Sequence, residues 1–154
     1  MKRASARLIF SSVCMLLLST RAVCQPKPTQ IAVLDLGATA TGVRTAAMIR
    51  EMFQSKQPSQ SLHEIQTIDA DQVQVAAKGL GFTGSLNLTL QQARDLGAAI
   101  GCDFYLLGDA ETVKRSPSTG PSYFESFASV FLVSARTGRL VVWERPSEQF
   151  SGRI

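Results

Sequence analysis

The chain has 154 residues, enough for one domain, and carries 16 Lys and Arg against 12 Asp and Glu. Four of the cations and none of the acids precede residue 25, so the remainder holds 16 − 4 = 12 basic and 12 acidic groups and is neutral. Scattered charge of this kind favours neither a nucleic acid nor an anionic membrane as partner. Two of the three cysteines also precede residue 25, which excludes an internal disulfide framework.

The first 24 residues have the order of a secretory signal. A basic start is followed by an apolar run, Leu8 to Leu18, and then by a short polar stretch that ends in small residues. The run is shorter than the roughly 17 apolar residues that a spanning helix needs. We predict a signal peptide over residues 1–24, with cleavage between Cys24 and Gln25, and a cut after Ala22 as the second choice.

Lipidation of Cys24 is an alternative to simple cleavage. A bacterial lipobox has an aliphatic residue three positions before the cysteine and a small residue directly before it, and here those positions hold Arg21 and Val23. The sequence therefore predicts a periplasmic protein, with an outer-membrane lipoprotein less favoured.

The first half of the remaining chain alternates strands and helices after a polar spacer, residues 25–30. Short apolar or alternating runs predict strands at 31–36 and 63–68, and helical spacing predicts a helix over 42–56. Asp69 and Thr89 each stand three residues before a Gln, a pattern typical of helix N-termini. These two helices are predicted to end near Lys78 and at Gly101.

The second half of the chain predicts three further strands, at 104–108, 123–135 and 140–144. Gly138 can supply the positive φ of a hairpin turn between the last two strands. The predicted fold is a single α/β domain over residues 31–146, in the order β-α-β-α-α-β-β-β. A parallel opening unit and an antiparallel closing hairpin give a mixed sheet with helices packed on it, and a tail occupies 147–154.

Four segments of this chain recur together in one superfamily: Ile31 to Leu34 (IAVL), Ile68 to Gln72 (IDADQ), Ala93 to Gly108 (ARDLG leading to GCDFYLLG) and Arg136 to Gly138 (RTG). On these segments the chain resembles the periplasmic α/β domains of the CsgG curli-secretion lipoproteins, the penicillin-binding-protein activator lipoproteins and the TolB amino-terminal domain. The resemblance covers about residues 31–144.

The resemblance implies a non-enzymatic module of the bacterial envelope that acts through contacts with a protein partner or as a homo-oligomer. The residues themselves predict no cofactor and no metal. A secretion pore is not expected, because no segment could supply membrane-spanning hairpins like those of CsgG. Relatives usually add a helix after the last strand, so a second hypothesis is the exported domain of a longer envelope protein.

A search for catalytic chemistry leaves one enzymatic alternative. The loop Gly37 to Gly42 lies where a phosphate loop belongs but lacks its Lys and hydroxyl residue, so we interpret it as a strand–helix turn. His63 and Cys102 have no partners of the kind a metal centre or a nucleophilic site recruits. Four carboxylates lie near predicted strand ends, Asp35, Asp103, Asp109 and Glu111. The alternative hypothesis is a small periplasmic hydrolase that uses Asp35, Asp103 or Asp109.

Aromatic residues concentrate in the strand predicted at 123–135. Alternation places Tyr123, Phe127 and Phe131 on one face of the sheet and Phe124 on the other. If helices cover only one face, the other is an apolar patch suited to a partner, whereas a sheet covered on both faces has no such patch.

Overall fold

Two apolar runs that lie far apart in the chain form the centre of the sheet. Strand β1 (Thr29–Leu36) pairs in parallel with strand β3 (Phe104–Arg115), with Ile31 opposite Phe104. The computed structural model describes residues 27–55 and 65–151. The predicted signal peptide with its cleavage site at Cys24 and Gln25, His63, and the last three residues lie outside the described residues.

The other elements follow the predicted order. They are α1 (Ala40–Ser55), β2 (Ile65–Thr67), α2 (Ala70–Gly79), α3 (Leu90–Ile100), β4 (Tyr123–Ser134), β5 (Leu140–Glu144) and β6 (Ser147–Phe150). The sheet has the order β2-β1-β3-β4-β5, and β6 also pairs with β4. Pairing is parallel between β1 and its two neighbours and antiparallel elsewhere. The predicted mixed α/β fold is confirmed.

Capping residues fix where α2 and α3 begin. The Asp69 carboxylate accepts hydrogen bonds from the backbone N–H groups of Asp71 and Gln72, at 2.9 and 3.2 Å. Thr89 and Gln92 form a reciprocal capping box, since each side chain accepts from the other's backbone N–H. Helix α3 ends at Gly101, which adopts the left-handed conformation with φ of 80°.

The helices cover both faces of the sheet. Helix α1 packs on one face through a cluster that includes Val33, Leu36 and Ala46. Helices α2 and α3 pack on the other face through a larger cluster around Tyr105 and Leu96. This division follows from topology: α1 leads from β1 outward to β2, and α2 and α3 lead back past β1 to β3. Crossovers of the same hand that run in opposite directions lie on opposite faces.

Two features of the sheet go beyond the sequence-based prediction. Strand β3 continues to Arg115 instead of ending at residue 108, and it pairs with β4 over its full length, from Phe104 opposite Ser134 to Arg115 opposite Tyr123. Strand β6 occupies four residues of the predicted tail. Both segments are largely polar, so neither carries the apolar signal by which a buried strand is recognised.

Candidate interaction surface

Strands β5 and β6 are two parts of one edge strand. Val130 lies opposite Glu144 and Phe127 lies opposite Ser147, so both strands keep the same register against β4 from Val142 onward; a bulge before Val142 shifts Leu140 by one position, opposite Val133. Between them the Ala128 N–H donates to the Pro146 carbonyl at 3.0 Å. The hydrogen-bond ladder with β4 is interrupted at this point only because Pro146 has no N–H to donate to the Ala128 carbonyl. We call residues 140–150 the edge strand.

The beginning of the edge strand is apolar and exposed. Four consecutive side chains are between 44 and 56% exposed: Leu140, Val141, Val142 and Trp143. An exposed apolar edge strand offers both unpaired backbone groups and apolar surface, which natural proteins normally cover or interrupt with charge. The surface of this domain that best fits a protein partner is therefore the edge strand.

Two aromatic pairs bind the edge strand to β4. Phe131 stacks on Trp143 with ring centroids 6.3 Å apart and planes 9° apart, and Phe124 stacks on Phe150 at 5.8 Å and 20°. Phe131 packs beside the α2–α3 cluster, whereas Val130 packs in the α1 cluster. The predicted alternation along β4 is confirmed. The sequence did not reveal that the exposed apolar surface would lie on β5.

Asp35 has a structural partner, Arg50 of α1. The Arg50 Nη2 donates to the Asp35 carboxylate at 2.9 Å, and Nη2 and Nε donate to the Val33 carbonyl at 2.7 and 3.1 Å. Strand β2 pairs with β1 only as far as Ile31. The guanidinium therefore occupies the outer side of β1 beyond the point where its neighbouring strand ends. Gln74 of α2 also donates to Asp35, at 3.2 Å.

The remaining predicted carboxylates have different surroundings. Asp103 accepts from the Gln30 N–H at 2.8 Å, and its backbone N–H and carbonyl bond Gln30 and Ala135, so it fixes the turn between α3 and β3. Asp109 lies against Gly37, and Glu111 is exposed. Within residues 27–55 and 65–151, no three His, Cys, Asp or Glu side chains are grouped so that they could hold a metal ion.

The loop from Gly37 to Gly42 is a packed turn. The Thr39 hydroxyl accepts from the Gly42 N–H at 2.9 Å and donates to the Ala110 carbonyl at 2.6 Å, which ties the start of α1 to β3. A Cβ at Gly42 would collide with the Leu36 carbonyl. The loop thus has a packing role in the structure.

Cys102 is a structural thiol. It is half-buried at the end of α3, and its Sγ donates to the Gly97 carbonyl at 3.7 Å. Burial raises the pKa of this thiol to about 11, so it stays protonated and unreactive at neutral pH.

A cleft of about 660 Å³ lies between α1 and α2, beyond the outer side of β1. Its walls are mainly apolar, with Val43, Val73 and Phe82, and its polar groups include the bonded set Asp35, Arg50 and Gln74. These three groups bond one another, and Asp71, Lys78 and Thr83 are the other polar or charged side chains that line the cleft.

Comparison with known proteins identifies the fold. No protein-family model matches the sequence, and no curated protein resembles it significantly. The LpoB C-terminal domain from Salmonella enterica is similar in structure with a TM-score of 0.52 and 12% identity, over 90% of this chain and 94% of that one. Lipoprotein GNA1162 from Neisseria meningitidis gives 0.53 and 19%, over 80% and 83%.

The LpoB C-terminal domain from Escherichia coli is also similar, with a TM-score of 0.51 and 13% identity, over 89% of this chain and 93% of that one. This chain shares its fold with these three structures, which have the fold of the penicillin-binding-protein activators. That fold is one of the three named in the sequence analysis. In the described part of the chain, no helix has the length and apolar content needed to cross a membrane.

Proposed function

We propose that this chain is an exported, non-enzymatic binding or assembly module of the bacterial cell envelope, which acts through protein–protein contacts made by the edge strand. The observation that carries the proposal is the run of four exposed apolar residues at a sheet edge, Leu140 to Trp143. The similarity in fold to LpoB and to a meningococcal lipoprotein is consistent with this class of function.

The chemistry of the carboxylates favours binding over hydrolysis. Asp35 and Asp103 accept hydrogen bonds from Arg50 and Gln30, respectively, which gives each a role in holding the sheet. A general base for hydrolysis must instead lie within reach of a substrate and be poised to take its proton. The hydrolase alternative predicts that alanine at Asp35 removes an activity without unfolding the protein.

A site-specific photo-cross-linker tests the proposed surface. Benzoylphenylalanine is incorporated at Trp143 of the full chain in bacterial cells, and the matched control carries it at Val75, an exposed position of α2 (71% exposed). We expect a discrete higher-mass adduct from position 143 and none from position 75. Equal labelling at both positions, or none at 143, would contradict the proposal.

Processing is tested separately by the intact mass of the protein from fractionated cells. A soluble species that begins at Gln25 agrees with the proposed cleavage after Cys24 and a periplasmic location. A membrane-bound species with a lipid-modified Cys24 would replace the periplasmic proposal with an outer-membrane lipoprotein.

A further inference from the structure

We propose that the partner of the edge strand is a second copy of this chain, paired antiparallel about a two-fold axis that passes through Trp143. This inference rests on the proposed function, because it assigns the occupant of the same surface. It follows from three properties of the edge strand: the direction of its backbone groups, the placement of its charges and the position of its tryptophan.

The backbone groups of alternate residues point away from β4. In an antiparallel ladder, pairs that exchange hydrogen bonds alternate with pairs that do not. Ala128 and Pro146 form a bonded pair, since the Ala128 N–H donates to the Pro146 carbonyl. Trp143 and Arg145 therefore belong to non-bonded pairs, and their N–H and C=O groups face outward. The hydrogen bond that Pro146 cannot donate is one that would be directed to β4, so the proline does not prevent pairing along the side of the strand that faces away from β4.

The charges of the edge strand select the register of self-pairing. In an antiparallel pair of strands, directly opposed residues have their side chains on the same face of the sheet. When the two strands are identical and related by a two-fold axis, the axis therefore passes through one residue position, where that residue is opposite its own copy.

An axis through a charged residue brings two identical charges together, which is the case at Glu144, Arg145 and Glu148. An axis through Pro146 places Glu144 opposite Glu148. An axis through Val142 places Arg145 opposite Arg139. Axes through Leu140 or Val141 would fall at the bulge of β5, where Leu132 pairs with Val142 but Val133 pairs with Leu140. From Val142 to Glu148, only axes through Trp143 and Ser147 avoid all such pairs of like charge. Only the first covers the whole apolar run, Leu140 to Trp143.

The register centred on Trp143 also satisfies the outward backbone groups. Trp143 faces its own copy as a bonded pair, which uses the N–H and C=O of both. On the sheet face that carries the Phe131–Trp143 stack, the two tryptophans continue into a ladder of four rings, Phe131–Trp143 and the same pair of the second copy. Residues 25–154 have no net charge, so two copies approach without net repulsion.

A residue on a two-fold axis cross-links to itself, which gives a decisive test. Directly opposed Cα atoms in a bonded antiparallel pair lie about 5.5 Å apart, within the range that a disulfide spans. The full chain carrying W143C is purified and mildly oxidised, and V75C is the control, because both keep the same native cysteines. We expect a disulfide-linked dimer from W143C, with two identical peptides joined at position 143, and at least tenfold less from V75C.

Solution mass measured by sedimentation provides the second readout. The unmodified chain is expected to be a dimer at micromolar concentration, and R145P a monomer. This substitution removes an outward N–H while leaving the ladder to β4 and the tryptophan in place, and circular dichroism confirms that the variant is folded. A dimer that persists in R145P would overturn the proposed pairing.

The mass of the photo-adduct at position 143 separates this inference from the proposed function. An adduct of twice the chain mass agrees with a second copy. A monomer in solution together with an adduct to a different protein overturns the second copy and leaves the binding function standing. A monomer with no adduct at all overturns both.

Discussion

Replacing Tyr105 with phenylalanine tests how the larger core is held together. Tyr105 is fully buried in β3, and its hydroxyl donates to the Ala93 carbonyl of α3 at 3.0 Å. A buried hydrogen bond of this kind contributes about 1 kcal/mol to the free energy of unfolding. We expect Y105F to lower the melting temperature by about 4 °C at neutral pH, given the transition entropy of a domain of this size.

The same residue sets a dependence on alkaline pH. Burial, with a smaller contribution from Cys102, raises the pKa of Tyr105 from 10.0 to about 12. The unfolded chain therefore releases this proton first, and stability falls as the pH rises from 10 towards 12. At pH 11 ionisation of Tyr105 in the unfolded chain lowers the free energy of unfolding by about 1 kcal/mol, and Y105F has no such loss. The stabilities of the native chain and Y105F should become nearly equal close to pH 11.

Urea unfolding followed by circular dichroism, at pH 7 and in steps from 9 to 11.5, measures both effects. Tyr123 is the matched control, because it is the other tyrosine of the chain and lies at the distal end of the β3–β4 hairpin. Y123F should change the unfolding free energy by less than about 0.5 kcal/mol at neutral pH. An undiminished difference between native chain and Y105F at pH 11 would refute the assigned burial and hydrogen bond.

Three further substitutions test local features by urea unfolding. T89A removes the capping box at the start of α3 and should cost about 1 kcal/mol; no loss would show that Gln92 alone caps the helix. G97A should cost about 1–3 kcal/mol, because the new Cβ would lie 2.8 Å from the Ala135 Cα, and an unchanged midpoint would contradict that contact. R50M should cost about 2 kcal/mol by removing charged hydrogen bonds to Val33 and Asp35, whereas R44M on the exposed side of α1 should be near neutral.

The element order could be predicted because each element has a local signal. Apolar runs mark β1 and the buried part of β3, and helix starts at Asp69 and Thr89 are fixed by side chains within three residues. Such signals depend only on the spacing of nearby residues, and the strands and helix starts that they predict are present in the structure. The positive φ at Gly138, 69° in the structure, is of the same kind.

The proposed interaction surface could not be predicted, because exposure of β5 depends on which strands become neighbours. The sequence LVVWE predicts a strand, but nothing within it says that β5 would be the outermost strand and that Trp143 would be 56% exposed. The contact of Arg50 with Asp35 arises because β2 stops short, which is a property of two other segments. The exposure of β5 and the Arg50–Asp35 contact both depend on which strands pair, and that involves residues far apart in the sequence.

The parallel pairing at the centre of the sheet has a consequence for the order of folding. Ile31 pairs with Phe104, 104 − 31 = 73 residues further along, and this pairing joins the two halves of the domain. Closing so long a loop is slow, and the amino-terminal half cannot complete its sheet before β3 is available. This topology therefore delays completion of the sheet until β3, and with it most of the domain, has been made.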